Sequence, residues 1–231
     1  MATRLELDLD RFREQHARVK SELEAVAGDG TAPRIVSVTK YLSSADTDRL
    51  GAAGFHPLGE NRANDLLTKT ESKLEPDRWH FIGSIQRNKV NKIVPRVAML
   101  HAVDSERLFL AVASELERNP APLSVLIQVN VSGEESKSGL TLDEARRAVP
   151  RWCEHDGVQV AGLMTMAPLL DPEECRPYFR ALRELRDEIR SELPEELADP
   201  FRELSMGMSN DYRIAAEEGA TLVRLGRLLY T

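Results

Sequence analysis

Apolar residues recur every three or four positions from Leu5 to Val26, through Leu9, Phe12, Val19 and Leu23. That spacing predicts an amphipathic helix over residues 5–26, ended by Gly28-Asp29-Gly30. A different pattern follows. Arg34-Ile35-Val36-Ser37-Val38-Thr39-Lys40-Tyr41 is a β-branched run closed by a lysine and bounded by polar Ser43-Ser44-Ala45-Asp46. It predicts a buried strand. From there the two patterns alternate. A helix over 45–53 ends at Gly54, and a short strand with its loop covers 56–61. A polar helix over 62–73 leads to a strand over 79–83. A basic helix over 84–94 precedes a strand over 97–103. Asp104 is placed to cap a helix over 105–118. Residues 123–131 are a near-continuous apolar run, the signature of a parallel strand buried on both faces. Thr141 and Glu144 fit a capping box opening the next helix. A strand over 158–166 follows, then a charged helix over 173–191 with Phe179, Leu182, Leu185 and Ile189 on one face. Pro194 stops it. A strand over 201–206, a helix from Ser209 to Gly219 and a strand over 221–226 complete the chain.

Strands alternating with helices argue for βαβ units and a parallel sheet. Eight such strands in 231 residues fit an α/β fold that closes as a (β/α)8 TIM-type barrel. The whole chain, 1–231, then reads as one domain, with residues 1–30 as an extra helix packing on the barrel. No linker or low-complexity tract interrupts it.

Composition narrows the partners. The formal net charge is −7, which argues against nucleic acid, whose binding rests on phosphate neutralisation. The chain holds no apolar run of about 18 residues, so no membrane span is expected. Met1-Ala2-Thr3-Arg4-Leu5-Glu6 lacks the apolar core of a signal peptide. Cys153 and Cys175 have no CxxC spacing, which fits a reducing cytoplasm.

Three features carry candidate chemistry. Lys40 lies at the carboxyl end of the first strand, where barrels place their reactive groups. It either snorkels into solvent or is a buried, activated amine of the kind that forms Schiff bases. The loops after strands 7 and 8 are the usual phosphate site of such barrels. Here they carry Ser205-Met206-Gly207-Met208-Ser209-Asn210-Asp211 and Gly226. Ser209 either caps a helix only or also offers its hydroxyl to an anion. Arg224, on the strand beside Lys40 in a closed barrel, either makes an ion pair at the barrel mouth or faces a ligand. A lysine, a phosphate cradle and a cationic partner for a ring nitrogen describe pyridoxal 5′-phosphate (PLP). Arginine keeps its proton, so the pyridine nitrogen would stay unprotonated. Arg87, Lys89 and Lys92 form either a solvated helix face or a docking patch. Lys137, in the Gly133–Gly139 loop, is placed for a mobile lid. Met164 and Met166 read as core filling.

Long ordered motifs now bear on identity: Val38-Thr39-Lys40, Gly59-Glu60-Asn61, Trp79-His80-Phe81-Ile82-Gly83, Gly162-Leu163-Met164-Thr165-Met166 and Ser205-Met206-Gly207-Met208-Ser209-Asn210-Asp211. Over residues 34–226 the chain resembles the pyridoxal phosphate homeostasis protein family, the YggS/PROSC type. The resemblance implies a fold-type III PLP barrel, like the N-terminal domain of alanine racemase, with PLP on Lys40. It implies that Ser209, Gly226 and the backbone at Arg227 hold the phosphate, that Arg224 faces the ring nitrogen and that Asn61 lies by the ring hydroxyl. His80, Ser205 and Met206 would line the pocket. Many members carry threonine after the glycine where this chain has Arg227, so the phosphate would rely on backbone contacts there.

Two functions compete on this reading. One is a carrier that holds PLP, shields its aldehyde, and buffers it or delivers it to apo-enzymes. The other is a PLP-dependent racemase. Racemisation needs an acid/base on each face of the substrate. The sequence offers Lys40 and no clear second group, and the chain lacks the β domain that completes alanine racemase. The expectation is therefore a cytoplasmic, monomeric carrier without a reaction of its own.

Overall fold

The computed structural model describes residues 5–27, 30–71, 75–134 and 137–231. Gly28 and Asp29, residues 72 and 73 of the helix expected over 62–73, and Glu135 and Ser136 of the Gly133–Gly139 loop lie outside them. Helix α1 (Leu9–Ala27) precedes β1 (Arg34–Val38). Then follow α2 (Ser44–Ala52), β2 (Leu58–Glu60), α3 (Ala63–Lys69), β3 (Trp79–Phe81), α4 (Val90–Ile93), β4 (Met99–Val103) and α5 (Glu106–Arg118). The second half runs β5 (Ser124–Gln128), α6 (Leu142–Cys153), β6 (Gln159–Met164), α7 (Arg176–Glu192), α8 (Glu195–Ala198), β7 (Glu203–Ser205), α9 (Tyr212–Glu217) and β8 (Leu222–Leu225). Each strand pairs in parallel with the next and β8 pairs with β1, so the sheet closes as an eight-stranded barrel.

The period-2 alternation of strands divides the apolar side chains into two layers. Val36, Met99, Ala102, Leu126, Ala161, Met164 and Leu222 fill the barrel. Their strand neighbours, among them Ile35, Trp79, Phe81, Leu100, Leu204 and Val223, face the helices in a larger outer core. Helix α1 packs its buried Phe12, Val19 and Leu23 against α9 and the C-terminal turn. Phe12 meets Phe55 edge-on at 4.9 Å and Tyr230 at 5.2 Å between ring centroids.

Local sequence accounts for most boundaries. The Thr141–Glu144 capping box forms with both bonds, 3.2 Å and 2.8 Å. Two expected caps do not. Ser105, not Asp104, precedes α5, and its side chain donates to Asp104 at 3.1 Å instead of bonding the helix. Ser209 does not cap α9, which begins at Tyr212. Asp211 takes up the turn before it by accepting the Met208 amide at 2.6 Å. The basic stretch expected as one helix over 84–94 is a 3₁₀ turn, Arg87–Lys89, followed by the single turn of α4. Pro95 then falls in a second 3₁₀ turn, Val94–Arg96. Among the described residues no helix is long and apolar enough to cross a membrane. Cys153 and Cys175 are free and buried, and burial pushes the Cys153 thiol up to about 12.

Candidate functional site

Strand β1 ends at Val38, so Lys40 stands two residues beyond it, in the turn at the barrel mouth. The mouth contains a cavity of about 380 Å³ at the carboxyl ends of the strands. Lys40, Asn61, Ser209, Arg224, Gly226 and Arg227 all line it. The topology brings them together because β8 closes onto β1, with Arg224 opposite Val36. Val38, Ile82, Met166 and Met208 supply apolar wall, and among the described residues no carboxylate lines the cavity. Clefts of about 440 and 510 Å³ lie at the opposite end, around Ala121 and Pro122. That is the amino end of the strands, which in barrels serves stability.

Lys40 is half-buried, with its Nζ 5.1 Å from the centre of the Tyr41 ring. Arg227 lies 5.5 Å from the same ring. Two cations thus share one aromatic face system at the mouth. Gly226 keeps this corner open. A Cβ there would come 3.1 Å from the Tyr41 ring and 3.7 Å from Val38. Asn61 Oδ1 is buried and has no hydrogen-bond partner among the described residues. Buried polar atoms are nearly always satisfied, so this acceptor is available to an occupant of the cavity.

Arg224 is fully anchored from below. NH1 donates to the Ser205 carbonyl at 2.8 Å and to Ser205 Oγ at 2.6 Å, and NH2 donates to the Thr165 carbonyl at 2.9 Å. Burial lowers its pKa to about 10, against the pull of nearby Asp211, so it stays charged at neutral pH. The Asp211 carboxyl is itself raised by burial.

Three residues expected in the pocket do not line this cavity. Met206 follows Ser205 on β7, and the alternation that turns Ser205 inward sends Met206 into the outer core, 0% exposed. Ser205 and His80 point inward but sit below the cavity in a buried polar layer. His80 Nδ1 is 3.0 Å from His101 Nε2, and His101 Nδ1 is 2.8 Å from Ser205 Oγ.

Sequence reasoning missed Tyr41, Asn210 and the support under Lys40. Lys69 Nζ donates to the Thr39 carbonyl and to Glu60 Oε2, both at 2.7 Å. Glu60 Oε1 accepts the Asn61 amide at 2.8 Å. One buried pair therefore fixes the peptides that carry Lys40 and Asn61. The available signal was a lysine on the apolar face of α3, three residues after buried Leu66.

A family model described as alanine racemase, N-terminal domain, matches residues 7–231. A pyridoxal phosphate homeostasis protein of Aquifex aeolicus is 38% identical, covering 92% of each chain. The chain belongs to the pyridoxal phosphate homeostasis protein family. The human protein of this name is 35% identical over 96% of the chain and 82% of its own length. Among solved structures, PipY of Synechococcus elongatus with PLP bound superposes with a TM-score of 0.81 at 28% identity, covering 95% of this chain and 100% of PipY. In this family member the cavity is lined mainly by residues at the carboxyl ends of β1, β2, β7 and β8, with Ile82 and Met166 between them.

Proposed function

We propose that the chain binds PLP in the barrel-mouth cavity and serves PLP homeostasis, holding the cofactor and buffering it or delivering it to apo-enzymes. One observation carries this reading: the Lys40 amine and the Arg224 guanidinium line the same cavity, together with Ser209 and Gly226 and, among the described residues, no carboxylate. PLP supplies an aldehyde that a primary amine attacks reversibly. Lys40 offers that amine. Ser209, Gly226 and the Arg227 backbone hold the phosphate, and Arg227 adds positive charge where a hydroxyl side chain is missing. Arg224 donates toward the ring nitrogen without giving up its proton. Asn61 meets the ring's hydroxyl side through Oδ1, which accepts there in place of a protein partner. Met166, Met208 and Ile82 keep water from the ring.

A reaction of its own would need a second acid/base across the ring. Among the described lining residues the one further ionisable side chain besides Lys40, Arg224 and Arg227 is Tyr41, on the same loop as Lys40, with two cations against its ring. Two free buried thiols are in keeping with a cytoplasmic setting.

The test is a visible absorption spectrum of the purified protein, borohydride reduction and peptide mass mapping. PLP mass fixed on Lys40 is the expected result. Failure to take up added PLP would overturn the reading, and turnover of an amino acid by homogeneous protein would replace carrier by enzyme.

A further inference from the structure

One arrangement of protons gives every hydrogen in the bonds below Arg224 an acceptor. Arg224 NH1 donates to Ser205 Oγ, so that oxygen accepts. The hydroxyl's own hydrogen then has His101 Nδ1 as its acceptor, at 2.8 Å. A neutral imidazole carries one N–H and one lone pair. With Nδ1 accepting, the His101 proton sits on Nε2 and points at His80 Nδ1, 3.0 Å away. His80 Nδ1 is therefore a lone pair, and its proton is on Nε2. Hydrogens run in one direction, from Arg224 through Ser205 and His101 to His80.

A proton added to His101 would go to Nδ1 and set two donors facing each other at His101 and Ser205, and one added to His80 Nδ1 would do the same at His80 and His101. The surroundings oppose it as well. His101 is 0% and His80 5% exposed, and Arg224 and Arg34 both repel charge at His101. Burial lowers His80 to about 3 and His101 well below the ordinary histidine value. The chain is neutral along its length and ends on a permanent cation. NH1 is spent on Ser205 and one NH2 hydrogen on Thr165. Among the described residues, Nε–H and the second NH2 hydrogen of Arg224 have no acceptor.

We propose that Ser205, His101 and His80 are positioning residues that fix the plane and the free donor edge of Arg224 toward the ring nitrogen of the bound cofactor. This role rests on the reading of the cavity as a PLP site. A carboxylate at the same depth would anchor the guanidinium but neutralise it. A neutral chain anchors it and leaves its charge for the ligand.

Two measurements test the relay. In the ligand-free protein, ¹⁵N-correlated NMR of the imidazoles should show both histidines as neutral Nε2–H tautomers from about pH 5 to 8. Titration of either ring in that range, or an Nδ1–H tautomer at either, would sink the proton arrangement. For the role, PLP affinity and the visible spectrum are compared among variants. His101→Phe removes both ring nitrogens and should weaken PLP about tenfold or more, as loss of a hydrogen bond supporting a charged group does, and shift the absorption maximum. His101→Gln can accept from Ser205 through Oε1 and donate to His80 through Nε2, and should restore both. Ser205→Ala breaks the same chain with the loss of one atom and stands in if His101→Phe does not fold. Wild-type affinity and spectrum in the folded Phe or Ala variant would overturn the relay while leaving the PLP site intact. If the wild type takes up no PLP, the site reading fails and the role assigned to the relay falls with it.

Discussion

Lys69 and Glu60 form an ion pair of 2.7 Å with side chains only 6% and 0% exposed, and the pair sits one peptide below Lys40. Burying two charges is costly, and the geometry must return that cost through further hydrogen bonds. Here it does. Lys69 also holds the Thr39 carbonyl, and Glu60 also holds the Asn61 amide. The pair thus ties α3 to the loops after β1 and β2, the two loops that present Lys40 and Asn61.

Truncating one partner strands the other. Lys69→Met or Glu60→Gln should cost about 3–5 kcal/mol of stability, read by urea denaturation. The double variant should cost clearly less than the two singles together, because it removes both charges. Additive costs would mean that the two side chains act separately.

The barrel itself was readable from the sequence because its strands are apolar, β-branched runs and its helices carry three–four spacing. Lys40, Arg224 and Gly226 were readable as a set because closure of β8 onto β1 follows from an eightfold βα alternation. Met206 was misplaced for a simple reason: a motif gives adjacency along the chain, whereas alternation decides which neighbour turns inward. The histidine relay and the Lys69–Glu60 pair were not readable. His80 and His101 meet through the register of β3 on β4, and Lys69 reaches Thr39 across two connections; neither pairing leaves a local pattern. Ser209 was read with two roles open, a helix cap or a hydroxyl offered to an anion. The turn at Gly207 put Asp211 next to the helix and left Ser209 at the cavity, which removes the cap and keeps the other role.

Lys40→Ala separates the two halves of the proposed site. It removes the amine and leaves Ser209, Gly226 and Arg224 in place. PLP should still bind, more weakly, by equilibrium dialysis, while borohydride fixes no PLP mass on the protein. A variant that still fixes the mass would assign the amine to another lysine.

The buried histidines also set an acid limit. Burial, reinforced by Arg34, holds His80 at about 3, and burial, with His80, Arg224 and Arg34, holds His101 well below its ordinary value. Unfolded, both protonate near 6.5. Below about pH 6.5 the unfolded chain binds protons that the fold refuses, so stability falls as pH falls, by about 1.4 kcal/mol per pH unit for each histidine. Glu218 acts lower. Burial raises it, but hydrogen bonds from Arg180 and Arg176 outweigh burial and lower it, so its stabilisation is lost only below about pH 4.5. Denaturation between pH 7 and 5 isolates the histidines. A His80→Gln, His101→Gln double variant should show a flatter profile there, and a profile parallel to the wild type would mean that the rings protonate within the fold.

Gly207 holds the turn that carries Ser209. Its φ is +91°, and a Cβ there would come 2.6 Å from the Ala215 Cβ and 3.1 Å from the Tyr212 Cα. Gly207→Ala therefore meets both backbone strain, about 1–2 kcal/mol, and overpacking, about 1–3 kcal/mol. Gly54 separates the two effects. Its φ is +89°, yet a Cβ there meets nothing within 4 Å, so Gly54→Ala carries the strain alone. The expected order in thermal or urea denaturation is wild type, then Gly54→Ala, then Gly207→Ala. Relief of the 2.6 Å clash must move the Met208-Ser209-Asn210 turn away from α9, and that turn lines the cavity. PLP affinity should therefore fall in Gly207→Ala and hold in Gly54→Ala. Equal affinity in the two variants would detach this turn from phosphate binding and leave the Gly226–Arg227 corner to hold the phosphate alone.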